Sequence, residues 1–302
     1  MNPETKLSRD DIKKICSKHN INLNKSERIT VGFSHEVHKI NDNLILKAYR
    51  RDSYKKFLTE LAILSSTQDF PKPKLIASST GKIDYIIMSF VKGCNLGSSW
   101  HTASNTQRKL VIKDLSDILR KINKLDPTIL PNPEGDTWVK ILTNRVNKLS
   151  EELLNKNIIS RSEYYSVIRK FKSYEDLFIG DRLYPVNWDI HFDNLIVNKN
   201  NKIQAIIDLE NVMMASLDYP LVGIEEMVRE PHRYMAEENE KYANTEDYSK
   251  ILDWYKLYYP EMFKFNNLKK RVEAYQFINI LHLMQEWSHN PELRAKLNKY
   301  LK

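Results

Sequence analysis

Pro185-Val-Asn-Trp-Asp189-Ile-His-Phe-Asp-Asn194-Leu-Ile-Val197 is the stretch on which the reading of this 302-residue chain turns. It sets Asp189 and Asn194 in the pattern Asp-x-x-x-x-Asn and runs directly into an apolar strand. In phosphoryl transfer, an Asp beside the acceptor hydroxyl orients it and takes its proton. An Asn five residues on can hold Mg²⁺ through its side-chain oxygen. The spacing alone says little. With 18 Asp and 27 Asn it is expected once or twice by chance, and it occurs twice, the other pair being Asp193 and Asn198.

Its surroundings say more. Two short strands, Asn194–Val197 and Ile203–Ile207, flank the turn 198–201, and Asp208 closes the second of them. A carboxylate at the end of a buried strand needs a partner. Such a hairpin brings Asn194 and Asp208 together, where a divalent cation could bridge nucleotide phosphates. The competing reading is that Asp208 caps the turn after it.

Working outward toward the N-terminus, Ser8 is a candidate N-cap for a helix through Asn20. Strand-like runs follow at Glu27–Phe33, Glu36–Ile40, Leu44–Tyr49, Lys74–Ala77 and Ile83–Val91, with one helix, Asp52–Thr67, among them. Lys47 interrupts the apolar run 44–49. From there it could reach phosphates and pair with Glu60 on the following helix, or it could be an exposed edge-strand lysine. The turn Gly32-Phe-Ser34 offers backbone N–H groups and a hydroxyl to phosphates. Beyond Gly93 amphipathic helical segments dominate, at Asn105–Leu125, Asp136–Lys156 and Ser160–Leu177, and again from Tyr219 to the C-terminus. The chain thus divides into a β-rich lobe, 1–92, and a mainly helical lobe, 93–302, with a cleft between them.

Taken in this order, Lys47, Glu60, Asp189, Asn194 and Asp208 give a sequence that resembles the aminoglycoside phosphotransferase and choline kinase family over about 29–227. The resemblance implies an α+β, bilobal protein-kinase-like fold, with a five-stranded antiparallel sheet and a helix in the N-terminal lobe. It implies Asp189 as catalytic base, Asn194 and Asp208 as Mg²⁺ ligands, and Lys47 held by Glu60. Ser34, Ser89 and Val91 would contact the nucleotide, ATP or GTP, whose base would hydrogen-bond the 89–91 backbone. Asn187 stands where the family has His, and as a hydrogen-bond donor it could take over the support of the loop.

Composition excludes more than it names. The chain is 41% hydrophobic and 28% charged, and its apolar runs are too short to span a bilayer. Two cysteines, Cys16 and Cys94, give no disulfide framework and point to a reducing cytoplasm. The charge of +8 comes from 47 basic and 39 acidic residues spread along the chain, without the clustering that a nucleic-acid footprint needs. No nucleic-acid or membrane partner is expected. The expected partner is a small cationic molecule with a hydroxyl, first of all an aminoglycoside, bound by Glu225, Glu226 and Glu230 unless these are solvated helix-face residues. Asp218 is read as a structural cap. Trp254, Tyr255, Tyr258, Tyr259, Tyr275 and Trp287 are either core or a cage for a quaternary ammonium such as choline. His191, His282 and His289 are too scattered for a metal site.

Overall fold

The computed structural model describes residues 7–29, 35–131, 133 and 135–302. Helix α1 (Arg9–Lys18) begins with a capping box, in which Ser8 and Asp11 exchange hydrogen bonds between side chain and backbone. Strands β1 (Ser26–Ile29), β2 (Glu36–Ile40) and β3 (Leu44–Tyr49) follow, then helix α2 (Tyr54–Ser65), β4 (Leu75–Ser79) and β5 (Asp84–Ser89). They form one antiparallel sheet in the order β1-β2-β3-β5-β4.

Strand periodicity decides what each sheet face does. Ile40, Leu46, Ala48, Tyr85 and Ile87 pack against Ile12, Ile15 and Cys16 of α1. The alternate residues Tyr49, Ile86 and Met88 pack on the opposite face with Phe57, Ile63 and Leu64 of α2. Lys47 belongs to this second face. Its strand is the middle one of the sheet, so it is buried and not an edge lysine.

After β6 (Cys94–Asn95) come helices α3 (Leu96–Ser99), α4 (Asn105–Ile122), α5 (Trp138–Asn155) and α6 (Arg161–Lys172). Next are β7 (Tyr184–Asn187), β8 (Leu195–Val197), β9 (Ile203–Ile206) and β10 (Val212–Ala215). The chain continues through α7 (Leu221–Arg229), α8 (Thr245–Tyr248), α9 (Ile251–Tyr258), α10 (Leu268–Glu286) and α11 (Pro291–Leu301). The expected β8–β9 hairpin is present, with Leu195 opposite Ile206, and β6 adds a third strand to it. Strands β7 and β10 pair as a separate ribbon, Asn187 opposite Val212, that the sequence did not announce. Pro185 disfavours a strand there, and runs this short are held by their partner more than by propensity.

Gly93 is required at the crossing into the helical part. Its φ is +154°, and a Cβ there would lie 2.4 Å from the Val197 carbonyl oxygen. One apolar cluster runs from beneath the sheet (Phe57, Ile63, Ile86) through α4 (Ile112, Leu115, Leu119) to β8, β9 and α9. A second lies among α5, α6, α10 and α11. Asp218 is not a cap. It is fully buried and accepts from Arg271 Nε at 2.5 Å and Nη2 at 2.9 Å, and from the Tyr275 hydroxyl at 3.0 Å. No helix among the described residues is long and apolar enough to cross a membrane.

Candidate active site

The site is built around the Lys47 ammonium. It donates to Glu60 Oε2 at 2.7 Å, to Glu210 Oε2 at 2.6 Å and to Asp208 Oδ1. Burial opposes its charge, but Asp208 and Glu60 outweigh burial and hold its pKa well above the usual lysine range. Glu60 also receives the Tyr49 hydroxyl on Oε2 and, on Oε1, the Leu209 N–H at 3.3 Å. The helix glutamate is therefore tied to the strand lysine and to the turn after Asp208 together.

Glu210 went unnoticed in the sequence, yet it is the hub of this cluster. It pairs with Lys47, with Lys56 at 3.0 Å and with His35 at 2.8 Å. Burial would raise its carboxyl. The His35 hydrogen bond together with Lys47 and Lys56 reverses this and holds it far below the usual carboxylate range. Lys56 lies one helical turn before Glu60, on the same face of α2, which was the one available sign that it faces the site. Glu60, Asp208 and Glu210 converge closely enough to suit a cation, but the Lys47 ammonium is the cation they surround.

The loop after β7 places the remaining parts. Asn187 is buried, and its Oδ1 accepts the Asp189 N–H at 3.2 Å. It supports the loop as an acceptor, where the sequence reading made it a donor. Asn194 donates Nδ2 to the Asp189 carbonyl at 3.2 Å, which leaves Oδ1 as the atom that could meet a cation. Its own carbonyl accepts the Ile207 N–H at 2.9 Å, so the β8–β9 hairpin does bring Asn194 beside Asp208. An amide oxygen and a carboxylate are the hard donors that suit Mg²⁺. Asp208 sits in the left-handed region at φ +61° with no capping bond from its side chain, so the cap reading fails. The Asp189 carboxylate is held by Asn211 Nδ2 at 2.9 Å. Burial pushes its pKa up, with His191 opposing and Asp208 assisting.

The connecting segment is more selective than expected. The Ser89 N–H and hydroxyl are both engaged with the backbone of Lys74, and the Phe90 N–H donates to the Asn43 carbonyl. Among the described residues no backbone hydrogen bond of this kind reaches Val91, so of the 89–91 N–H groups it is the one left for a ligand. Ser34 and the turn 32–34 lie outside the described residues.

Asp189 opens onto a cavity of about 940 Å³ between α7, α10 and α11. Glu226 and Glu230 line it, one helical turn apart, whereas Glu225 does not. A single residue step turns a helix by about 100°, which carries Glu225 off that face. Glu226 accepts the Tyr234 hydroxyl at 2.8 Å and Asn279 Nδ2 at 3.1 Å. Glu230 is paired with Arg229 and Arg233. His191 and His282 both line the cavity, although their sequence spacing gave no hint of it. Burial holds the His282 imidazole below its usual pKa, assisted by Arg145. Of the six aromatics, only Trp287 lines the cavity. Trp254, Tyr255, Tyr259 and Tyr275 are buried core, and the rings that line the cavity beside Trp287 are instead Trp188, Tyr219, Tyr234 and Tyr300.

The chain as a whole has counterparts among known proteins. The sequence profile of the phosphotransferase enzyme family, APH, matches residues 25–224, two thirds of the chain. The chain belongs to this family. Its fold is that of solved aminoglycoside phosphotransferases. The ADP-bound APH(2'')-Ib superposes with a TM-score of 0.69 at 15% identity, covering 98% of this chain and 97% of that one. The gentamicin complex of APH(2'')-IIa gives 0.69 at 15% identity, over 98% and 96%. A thermostable APH(4)-Ia mutant, in a ternary complex with ADP and hygromycin B, gives 0.64 at 10% identity, over 96% and 97%. A comparison with curated protein sequences yields no match. At these identities the structural likeness establishes the protein-kinase-like fold, and the family profile establishes membership.

Proposed function

We propose that this APH-family protein is a Mg²⁺-dependent small-molecule kinase that transfers the γ-phosphoryl group of ATP or GTP to an alcohol hydroxyl. Residues 1–92 act as the nucleotide lobe, and 93–302 as the catalytic and acceptor lobe. One observation carries the reading: the Asn194 carbonyl holds the Ile207 N–H, which sets the Asp189–Asn194 loop beside Asp208 and under the Lys47 ammonium.

Asp189 orients the acceptor hydroxyl and accepts its proton as the oxygen attacks. Asn211 fixes the carboxylate for this task. Lys47, held by Glu60, offers its ammonium to the nucleotide phosphates, and the Val91 backbone receives the base. Mg²⁺ held by Asn194 and Asp208 would neutralise phosphate charge in the transition state. Most of the rate enhancement on this reading is positioning and electrostatics.

For the acceptor, Glu226 is the cavity carboxylate nearest in role to an ammonium ligand, since Tyr234 and Asn279 hold it without neutralising it. Aminoglycosides are therefore the first acceptors to try, ahead of choline. Phosphate transfer from ATP and GTP to a panel of aminoglycosides, amino alcohols and sugars tests the reading. Asp189→Asn should lower kcat by at least about 10³-fold while leaving nucleotide affinity within about twofold. A chain that binds nucleotide but phosphorylates none of the panel would be a nucleotide-binding protein and not a kinase.

A further inference from the structure

The acceptor cavity is not uniformly acidic. Besides Asp189, Glu226, Glu230 and Glu273 it is lined by Lys170, Arg229, Arg233, Lys296 and Lys299, so carboxylates do not outnumber cations. Several of these charges cancel locally. Glu230 pairs with Arg229 and Arg233, and Glu292 pairs with Arg233 and Lys296. What remains is segregated. Asp189 and Glu226 lie at one end, and neither has a lysine or arginine partner within ion-pair distance among the described residues. At the other end, where α6 and α11 close the cavity, Lys170 and Lys299 have no carboxylate within ion-pair distance among the described residues, and Glu273, held by the Tyr174 hydroxyl, is the one carboxylate set beside these two cations.

Lys170 is aimed there by its surroundings. Its ammonium lies 5.0 Å from the centre of the Tyr174 ring and 5.9 Å from that of Tyr300. The Tyr300 hydroxyl lines the same end, donating weakly to the Glu273 carbonyl at 3.4 Å, and Glu273 itself is engaged by the Tyr174 hydroxyl. A polycation filling this cavity would meet two unneutralised ammonium groups. A molecule with one positive and one negative end would meet complementary charge at both.

We propose that the acceptor is dipolar: a hydroxyl and a neighbouring ammonium at Asp189 and Glu226, and an anionic oxygen group, phosphate or carboxylate, at Lys170, Lys299 and the Tyr300 hydroxyl. The proposal rests on the reading of this cavity as the acceptor site. It places an anion subsite at the end remote from the phosphoryl transfer. Lysine is suited to that role as a compact, flexible point charge.

The test compares four acceptors of graded charge on the full chain with ADP and Mg²⁺ present: glucosamine, glucosamine 6-phosphate, muramic acid and kanamycin. Binding is read by calorimetry, and phosphoryl transfer is read separately with ATP and GTP. At least one of the two anion-bearing amino sugars should bind about tenfold or more tightly than glucosamine, the scale of one charge-assisted hydrogen bond. The double substitution Lys170→Gln with Lys299→Gln should erase that margin without changing ADP affinity, which also reports that the variant is folded. Glucosamine or kanamycin binding as well as both anion-bearing sugars would overturn the proposal, as would a margin that survives the double substitution. Transfer to kanamycin without the charge preference would leave the kinase reading standing and remove this one. Selective binding of the anionic sugars without transfer to any acceptor would do the reverse.

Discussion

Replacing Asp218 with Ala separates two structural roles by magnitude. If Asp218 only capped a helix, its loss would cost about 1 kcal/mol. In the structure it is a fully buried carboxylate clasped by Arg271 and by the Tyr275 hydroxyl. Arg271 is itself buried and has Asp181 as its other carboxylate. Removing Asp218 leaves the guanidinium half-neutralised in a dry site. Breaking a buried pair in this way costs about 3–5 kcal/mol. For a chain of this size each kcal/mol lowers Tm by about 2–3 °C. Asp218→Ala should therefore lower Tm by about 6–15 °C in a circular-dichroism melt, against about 2–3 °C for a lost cap. Adding Arg271→Met should recover part of the loss, because the charge left unpaired is then gone. A drop of 3 °C or less, or a double variant that melts below Asp218→Ala, would refute the ion-pair account.

Three further outcomes follow from the site. The Asp189 carboxyl is raised mainly by burial and must be ionised to accept a proton. The acid limb of kcat should therefore lie above the ordinary Asp value of about 4, and a profile flat down to that pH would exclude Asp189 as base. Glu210→Gln should flatten the acid dependence of stability. The depressed pKa of Glu210 contributes stability that is present above the unfolded value of about 4.3 and is lost as pH falls through the folded one. The parent Tm should fall more steeply than that of the variant on acidification, and parallel curves would contradict this. Gly97→Ala would set a Cβ 2.3 Å from Asp193 Oδ1 and push on the Asp189–Asn194 loop, proposed as the catalytic one. A kcat loss of tenfold or more in a folded protein is expected from kinetics at saturating nucleotide, on the order of the 1–3 kcal/mol that overpacking costs.

The sequence carried the β8–β9 hairpin, the Lys47–Glu60 pair and the five-stranded sheet because each is local or periodic. Alternation along 44–49 and 84–89 marks two packed faces, and the ends of the hairpin must meet. What stayed hidden depends on residues far apart in the chain. Glu210 looks like any turn glutamate until Lys47, Lys56 and His35 arrive from the sheet side. The β7–β10 ribbon has too few residues to show a period, and Pro185 argues against it. Glu225 and Glu226 are indistinguishable in composition, and only the helix phase separates them. Ser89 was expected at the nucleotide, but its polar groups are spent on Lys74, a pairing set by the neighbouring strand. Asp218 misled because a buried ion pair and a cap leave the same letter in the sequence.

The apolar cluster that passes from Phe57 and Ile86 under the sheet to Ile112 and Leu119 has a bearing on how this chain can change over generations. Among the described residues the cluster is continuous at that depth, so neither part carries a finished surface of its own there. A recombination event that exchanged one part would have to import a matching greasy face along with it. The cavity between α7, α10 and α11 is less committed, because polar side chains such as Glu226, Arg229 and Asn279 line it beside core residues such as Val222 and Ile280. On the proposed kinase reading, a change of acceptor would be reached by editing those polar positions, while the lysine, its carboxylates and the hairpin beneath them are inherited as a block.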